Sequence, residues 1–130
     1  MSIGDYLELE LLDQVLRNES APAIAQISVA LNRTDPGEST ASAIASEVTG
    51  GQYARVDAGF AVAANGSAVN LSNLLFPSLP ATHLAYCSLW DASGIASGNY
   101  LWGGSLVTTK DTNDQDNFQI NSGGLAVDLD

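Results

Sequence analysis

The chain has 130 residues, which is enough for one domain with a buried core that needs neither disulfides nor a structural metal. Fifteen acidic residues against four basic ones give a formal net charge of −11, and a field of that sign excludes nucleic acid and anionic membrane surfaces as partners. Hydrophobic residues make up 45% of the chain, which argues against intrinsic disorder. The sequence shows no signal-peptide pattern and no apolar run of membrane-spanning length, so we expect a soluble protein made in a cytoplasm.

The N-terminal residues have the pattern of an amphipathic helix. Ser2 and Asp5 form an S-x-x-D pair that is able to cap its start, and Pro22 is expected to end it. An apolar residue recurs every fourth position, at Ile3, Leu7, Leu11 and Val15. Further leucines at positions 9, 12 and 16 widen the apolar surface, so the helix has two sides to bury. Either the helix is tucked into its own domain, or one side packs against a neighbouring subunit.

After the helix the apolar pattern changes to a period of two, which predicts strands. The predicted strands cover residues 25–32, 53–64, 67–71, 83–90, 100–107, 118–120 and 125–129. Residues 38–52 are interpreted as a long surface connection, with at most a weak helical turn over residues 41–48. Asn65-Gly66 is interpreted as a tight hairpin, and Gly103-Gly104 as a β-bulge. The resulting prediction is a mainly β fold, a β-sandwich or jelly roll with one N-terminal amphipathic helix. Residues 1–18 are assigned to the helix or arm, and residues 19–130 to the β-sandwich.

The sequence offers little that indicates catalysis or a cofactor. His83 and Cys87 lie four residues apart on one predicted strand, about 13 Å from each other, which is too far for a catalytic hydrogen bond. The acidic segment Asp111–Asp116 has oxygen ligands like a calcium loop, but it lacks the glycine and the distal glutamate of such a loop. A solvated acidic loop is the favoured interpretation, and an opportunistic cation site stays open. We therefore expect no enzyme activity, no metal and no cofactor.

Several segments resemble a family of small structural proteins of tailed bacteriophages that are often labelled tail fibre proteins. The matching segments begin at Ile3-Gly4-Asp5-Tyr6-Leu7-Glu8 and continue through residues 27–31, 35–38, 47–56, 76–77, 82–83, 89–92 and 123–125. The most specific of them is Glu47-Val48-Thr49-Gly50-Gly51-Gln52-Tyr53-Ala54-Arg55. Small β-rich cement proteins of phage heads resemble this group, and they typically form trimers where capsid subunits meet.

The resemblance implies a structural virion protein. Because the chain lacks the repeats or heptads of a fibre, the leading hypothesis is a capsid decoration (cement) protein on the exterior of the mature head. Its expected partners are the major capsid protein and two further copies of itself in a homotrimer. The alternatives are a tail-tip or tail-fibre-associated structural protein and a carbohydrate-binding module that uses Trp90 and Trp102. The interface candidates are Ile3, Tyr6, Leu9, Leu16, Glu47, Tyr53 and Arg55, the last paired with Asp57 or an acidic capsid patch.

Overall fold

The computed structural model describes residues 2–129 of the chain. Those residues form the strands β1 Ser2–Ile3, β2 Ser28–Asn32, β3 Val56–Asp57, β4 Ser67–Val69, β5 Leu74–Leu79, β6 Thr82–Trp90, β7 Tyr100–Thr112, β8 Asp116–Ile120 and β9 Ala126–Asp128. The helices within the same residues are α1 Asp5–Leu16 and α2 Thr40–Ser46. The prediction of a mainly β protein with an N-terminal helix is confirmed, and α2 is a second short helix where the sequence indicates only a weak helical turn.

All strand pairs in residues 2–129 are antiparallel. The largest sheet has the order β1-β7-β6-β2-β3, and separate two-stranded ribbons are formed by β4 with β9 and by β5 with β8. This arrangement does not close into a barrel. It also lacks the two four-stranded sheets of a jelly roll, so the sandwich or jelly-roll part of the prediction is not confirmed. The predicted strands over residues 118–120 and 125–129 correspond to β8 and β9, which pair with β5 and β4 respectively.

The core lies on both faces of β2. Its period-two pattern is correct, with Val29 and Leu31 directly opposite Leu89 and Cys87 of β6. The other side of the strand is covered as well, because Ala30 packs in a second buried cluster with side chains of α2, β6 and β7. All five residues of β2 are therefore buried, including the polar ones that the alternation predicted to be solvated.

The prediction of a surface connection over residues 38–52 is wrong. This segment contains α2, which begins after the N-cap Ser39 and packs on the sheet. The amide of Asn32 donates to the Ser46 hydroxyl at 2.8 Å and to the Ala43 carbonyl at 3.3 Å, and these bonds tie α2 to β2. A polar residue in the strand thus specifies the position of a helix whose own sequence is only weakly helical.

Both predicted ends of α1 differ from the structure. Ser2 does not cap the helix, because β1 pairs with Gly103 and Trp102 of β7 and the helix begins after Gly4 without a side-chain cap. At the other end, Asn18 adopts a left-handed conformation (φ 55°) just beyond the C-cap. Asparagine tolerates this backbone region, so the helix ends at Leu16, six residues before Pro22.

The Asn65-Gly66 hairpin is confirmed. Ala64 and Ser67 bridge across the turn, and both central residues have positive φ, 54° and 77°, as a type I′ turn requires.

Two strand predictions differ from the structure. The long strand predicted over residues 53–64 is wrong, since only the short β3 forms there. In β7 the register shifts fall on either side of Gly103-Gly104 rather than at the predicted bulge, and the strand runs on to Thr112.

Candidate assembly surface

The C-terminal half of α1 is an apolar surface that the rest of the described chain leaves uncovered. Along the predicted stripe, Leu7 is 7% exposed, Leu11 is half-buried, and Val15 is 76% exposed. The helix therefore packs on β7 through its first turns and departs from the body towards its end. Within residues 2–129, no helix has the length and apolar character needed to span a bilayer.

Four large apolar side chains lie on this departing part of the helix. Their exposed fractions are 65% for Leu9, 54% for Leu12, 76% for Val15 and 75% for Leu16. Single exposed leucines are ordinary on protein surfaces, but four on two turns of one helix form a contiguous patch of the kind that marks an interface. We name Leu9, Leu12, Val15 and Leu16 the α1 patch.

The chain that follows α1 extends the exposed region. Residues 17–26 have no regular secondary structure, and every one of them is exposed. Ile24 adds another apolar side chain, 43% exposed. The α1 patch is thus followed by ten exposed residues without regular secondary structure.

The remaining interface candidates at the N-terminus lie closer to the body of the protein. Ile3 and Tyr6 are half-buried and pack against the main core. Desolvation raises the pKa of the Tyr6 phenol, and the nearby carboxylates of Glu10 and Asp91 raise it further. Ile3 and Tyr6 hold the N-terminal end of α1 on the body of the protein. Leu9 and Leu16 lie on the α1 patch, and the sequence analysis predicts that both make intermolecular contacts. Their role in contacts stays a prediction.

Glu47, Tyr53 and Arg55, also predicted as interface residues, lie in the interior. The Arg55 guanidinium donates to both carboxylate oxygens of Glu47, from Nε and from Nη2, each at 2.8 Å. Its Nη1 donates to the carbonyls of Ala92 and Ser97 at 3.0 and 2.9 Å. The side chains of Arg55 and Glu47 are 0% and 1% exposed, so the predicted pairing of Arg55 with Asp57 or a capsid patch is wrong.

Aromatic residues complete this buried cluster. The Tyr53 hydroxyl donates to Glu47 at 2.9 Å and accepts from the Leu31 amide at 3.1 Å. Burial raises the pKa of Tyr53 well above its ordinary value, and the Glu47 carboxylate raises it further. The Arg55 guanidinium also lies 3.9 Å from the centroid of the Trp90 ring, within range for a cation–π interaction. We name Glu47, Tyr53, Arg55 and Trp90 the Arg55 clamp.

The Arg55 clamp explains the residue types of segment 47–55, the most specific part of the family resemblance. Its glutamate and arginine are eight residues apart, and they join α2, β3 and the loop after β6 by bidentate charged bonds. Gly51, between them, has a φ of +57° and lies against Pro80, where a Cβ would meet the proline backbone at 3.1 Å. The motif therefore builds the scaffold, and the signal missed in the sequence is the pairing of Glu47 with Arg55.

The tryptophans are poorly placed to bind carbohydrate. Trp90 is fully buried under Arg55. Trp102 lines a cavity of about 120 Å³ whose other lining residues are also apolar: Ile27, Phe60, Ala68, Leu89 and Val127. A sugar site needs an exposed ring and polar partners for hydroxyl groups, and this cavity provides neither.

The other polar candidates are dispersed. His83 is exposed and contacts Asp111 across the strands at 2.5 Å, whereas Cys87 is buried, and its burial raises the pKa of the thiol to about 11. In the acidic segment, the Asn113 amide donates to Asp116 and closes a turn between β7 and β8. Among residues 2–129, no group of three or more His, Cys, Asp or Glu side chains is arranged to hold a metal ion.

These observations describe a structural protein with a rigid β body and an apolar helix available for assembly. A family model described as podophage GP4 fiber I protein gp80 matches residues 2–128. The chain therefore belongs to this family of phage tail fibre structural proteins, and the predicted resemblance is confirmed. No curated protein matches the sequence.

The family decides between the predicted roles. It makes the protein a phage structural protein and a tail fibre component of the virion, which supports the predicted alternative rather than the leading capsid-decoration hypothesis. A fibre structural family also implies a non-enzymatic role. The absence of repeats does not argue against a fibre protein, because a fibre component can be a compact domain without a repetitive shaft.

Proposed function

We propose that this protein is a rigid attachment module of the podophage tail fibre, which joins the virion by burying the α1 patch on a neighbouring subunit. The observation that carries the proposal is the exposure gradient along α1, from 7% at Leu7 to 76% at Val15. A helix that packs on its own domain only through its first turns leaves the remaining turns for another chain.

The energy available from that contact is substantial. The exposed fractions of the α1 patch correspond to nearly three fully exposed large side chains. At about 1.5–3 kcal/mol for each such side chain, their complete burial contributes on the order of 4–8 kcal/mol before the entropic cost of association. Where many copies attach to one symmetric assembly, each copy contributes a contact of this size to the total binding energy.

The body of the protein suits a mechanical role. The Arg55 clamp ties α2, β3 and the loop after β6 together, and the central strand β6 is hydrogen-bonded on both sides, to β2 and β7. Salt screens a fully buried ion pair only weakly, so the Arg55 clamp should keep its geometry when the ionic strength changes outside the cell. The module would transmit force between α1 and the rest of the fibre without deforming.

The location is tested by counting and placing the protein in purified virions. Quantitative mass spectrometry should give far fewer copies than of the major capsid protein, and gold-labelled antibody fragments should mark the tail. Copy numbers close to that of the major capsid protein, with label over the head, would overturn the fibre proposal and favour the decoration role. The predicted homotrimer and capsid contact would then become the working hypothesis.

The attachment surface is tested by a double substitution, Leu12→Ser with Leu16→Ser. Because both side chains are exposed, the fold should be retained while incorporation into virions falls at least tenfold. The matched control is Val62→Ser, which removes a side chain that is 95% exposed elsewhere on the surface and should leave incorporation unchanged. Normal incorporation of the double variant would show that the α1 patch is not the attachment surface.

A further inference from the structure

A polar cavity of about 260 Å³ lies at the end of the β body that is remote from the start of α1. It is formed where the turn between β7 and β8 meets the end of β5 and the segment after α2, and its lining residues are Gly51, Gln52, Ser78, Asp114 and Gln115. Near the start of β7, Trp102 and Gly103 pair with β1, which leads into α1, whereas the cavity begins just beyond the last residue of β7. We name this site the polar cavity.

The backbone that frames the polar cavity is unusual. Ser78 has a φ of 51° and Gln115 a φ of 67°, a left-handed region that residues other than glycine adopt only at a cost. Ser78 also lies within the irregularity of β5, where the register with β8 shifts between Phe76 and Leu79. Bulges and strained residues of this kind are concentrated at functional sites, where they direct side chains towards a ligand.

Hydrogen bonds of the main chain hold this frame in place. The backbone N–H of Gln115 donates to the Leu79 carbonyl at 2.8 Å, and that of Ser78 donates to the Asn117 side chain at 3.0 Å. The backbone N–H of Gln52 donates to the Ser78 carbonyl at 3.3 Å. In contrast, the four polar side chains that line the cavity make no hydrogen bond to any residue of the described chain. The frame is thus fixed while its side chains stay free to bind.

Gln52 connects the polar cavity to segment 47–55. Glu47, Tyr53 and Arg55 of this segment build the Arg55 clamp, and Gly51 permits the close approach to Pro80. Gln52 takes no part in the clamp and is exposed at the polar cavity. Because the next residue, Tyr53, is held in the interior, the clamp also fixes the position from which Gln52 reaches the cavity.

The lining restricts the chemistry of a ligand. It offers one carboxylate, two side-chain amides and one hydroxyl, so several oxygen acceptors surround a single negative charge. Calcium is bound by six to eight oxygens, with more than one carboxylate in most sites, and the lining has only Asp114. No aromatic side chain lines the cavity to stack on a sugar ring. A guanidinium group fits, because it carries one positive charge and five N–H donors and pairs with a carboxylate in bidentate fashion.

We infer that the polar cavity binds the arginine side chain of a different protein of the virion. The guanidinium pairs with the Asp114 carboxylate, and its remaining N–H groups donate to the side-chain oxygens of Gln52 and Gln115. The net charge of −11 on the chain favours the approach of a cationic group. This contact goes beyond the proposed function of the α1 patch, since it gives the protein a second docking site at the other end of β7.

The arginines of this chain are occupied within their own chain. Arg55 is 0% exposed in the clamp, Arg17 pairs with two carboxylates, and Arg33 donates to the Ala45 carbonyl. A guanidinium taken from a second copy would have to give up such a bond. A different protein is therefore the occupant to which the inference commits.

Binding is tested by NMR titration of the purified full-length chain with a glycine-arginine-glycine peptide blocked at both ends. The side-chain amide signals of Gln52 and Gln115 should shift and saturate at millimolar peptide. The same peptide with citrulline, which keeps the shape of arginine without its charge, should bind at least tenfold more weakly, and a lysine peptide at least threefold more weakly. Asp114→Asn should weaken arginine binding at least tenfold. The matched control Asp128→Asn removes the same charge from an exposed position on β9 and should change it less than twofold.

The partner is identified by photo-cross-linking in virions that carry p-benzoylphenylalanine in place of Asn113, an exposed residue beside the polar cavity. The expected product joins this position to an arginine-containing peptide of a different protein, and Asp114→Asn in the same chain should reduce its yield at least fivefold. Non-saturable shifts, equal binding of the citrulline or lysine peptide, or unchanged binding by Asp114→Asn would each overturn the inference. Cross-links to a second copy, or none at all in intact virions, would overturn it as well. These results leave attachment through the α1 patch standing, whereas normal incorporation of the Leu12→Ser, Leu16→Ser variant would overturn that attachment and leave the arginine site standing.

Discussion

Replacement of Glu47 by glutamine should destabilise the protein severely, although the change is one atom in size. The substitution removes the negative charge opposite Arg55, whose side chain is 0% exposed. A glutamine also turns an NH₂ group towards Nη2 of Arg55, so that two donors meet where a 2.8 Å charged bond stood. The Tyr53 hydroxyl and the Arg55 Nε, which both donate to Oε1 of Glu47, then share an oxygen that carries no negative charge.

The size of the effect follows from what remains around Arg55. Removal of one partner of a buried ion pair typically costs about 3–5 kcal/mol, because the other charge is left uncompensated. Two carbonyls, of Ala92 and Ser97, and the face of Trp90 still contact the guanidinium, which places the expected loss near the lower end, about 3 kcal/mol. That loss is a large share of the roughly 5–15 kcal/mol that stabilises an ordinary domain.

Urea unfolding followed by tryptophan fluorescence measures this effect, and Trp90 reports on the clamp directly because Arg55 lies 3.9 Å from its ring centroid. The matched control is Arg17→Gln, which breaks two exposed ion pairs, with Asp13 and Glu19, and should change the free energy of unfolding by less than about 0.5 kcal/mol. In the double variant Glu47→Gln with Arg55→Met, the loss should be smaller than the sum of the single losses. A loss under about 1 kcal/mol for Glu47→Gln, or strict additivity, would refute the reasoning.

Three further predictions concern core packing, the buried thiol and the cap of α2. Gly103→Ala should lower the melting temperature by several degrees, since the new methyl group would overlap the Tyr100 hydroxyl, and an unchanged melting curve would contradict this packing. The raised pKa of Cys87 means that the folded state holds the thiol proton to higher pH, so stability should fall between pH 9 and about pH 11; urea midpoints should fall less over this range in Cys87→Ala, and parallel curves would argue against the shift. Ser39→Ala should cost about 1 kcal/mol through loss of the α2 cap, whereas Ser39→Asp should retain stability, and equal urea midpoints for both variants would exclude a capping role.

Elements with local signals were predictable from the sequence. The strand β6 is a long apolar run bounded by turn residues, and Asn65-Gly66 encodes positive φ at both positions of a type I′ turn, so both appear where the pattern places them. The C-terminal end of α1 also has a local signal, because Asn18 adopts a left-handed conformation and ends the helix before Pro22 is reached. Local chemistry thus determined which elements exist more reliably than where they end.

Features that depend on contacts distant in sequence were not predictable. The helix α2 is held by Asn32, and Ser88 in turn donates to Asn32 from 56 residues away. The motif around Glu47 and Arg55 was assigned to the surface because charged residues are mostly exposed, and only a bidentate partner reverses that expectation. The candidate site shows the opposite case, since the surplus of leucines on α1 indicates two apolar sides without any tertiary information, and residues 2–129 leave Leu9, Leu12 and Leu16 exposed.

The uncovered part of α1 should also be the part of the helix that opens most readily. A short helix in water is marginal without packing, and beyond Leu11 most side chains of α1 are exposed in the described structure. Hydrogen exchange of the purified chain should therefore be fast at the amides of residues 12–17 and slow across β6, whose neighbours pair with it on both sides. In assembled virions the same amides should become protected, because the partner then supplies the missing burial. Equal protection of α1 and β6 in the free chain would mean that the helix is stable by itself and that its leucines do not need a partner.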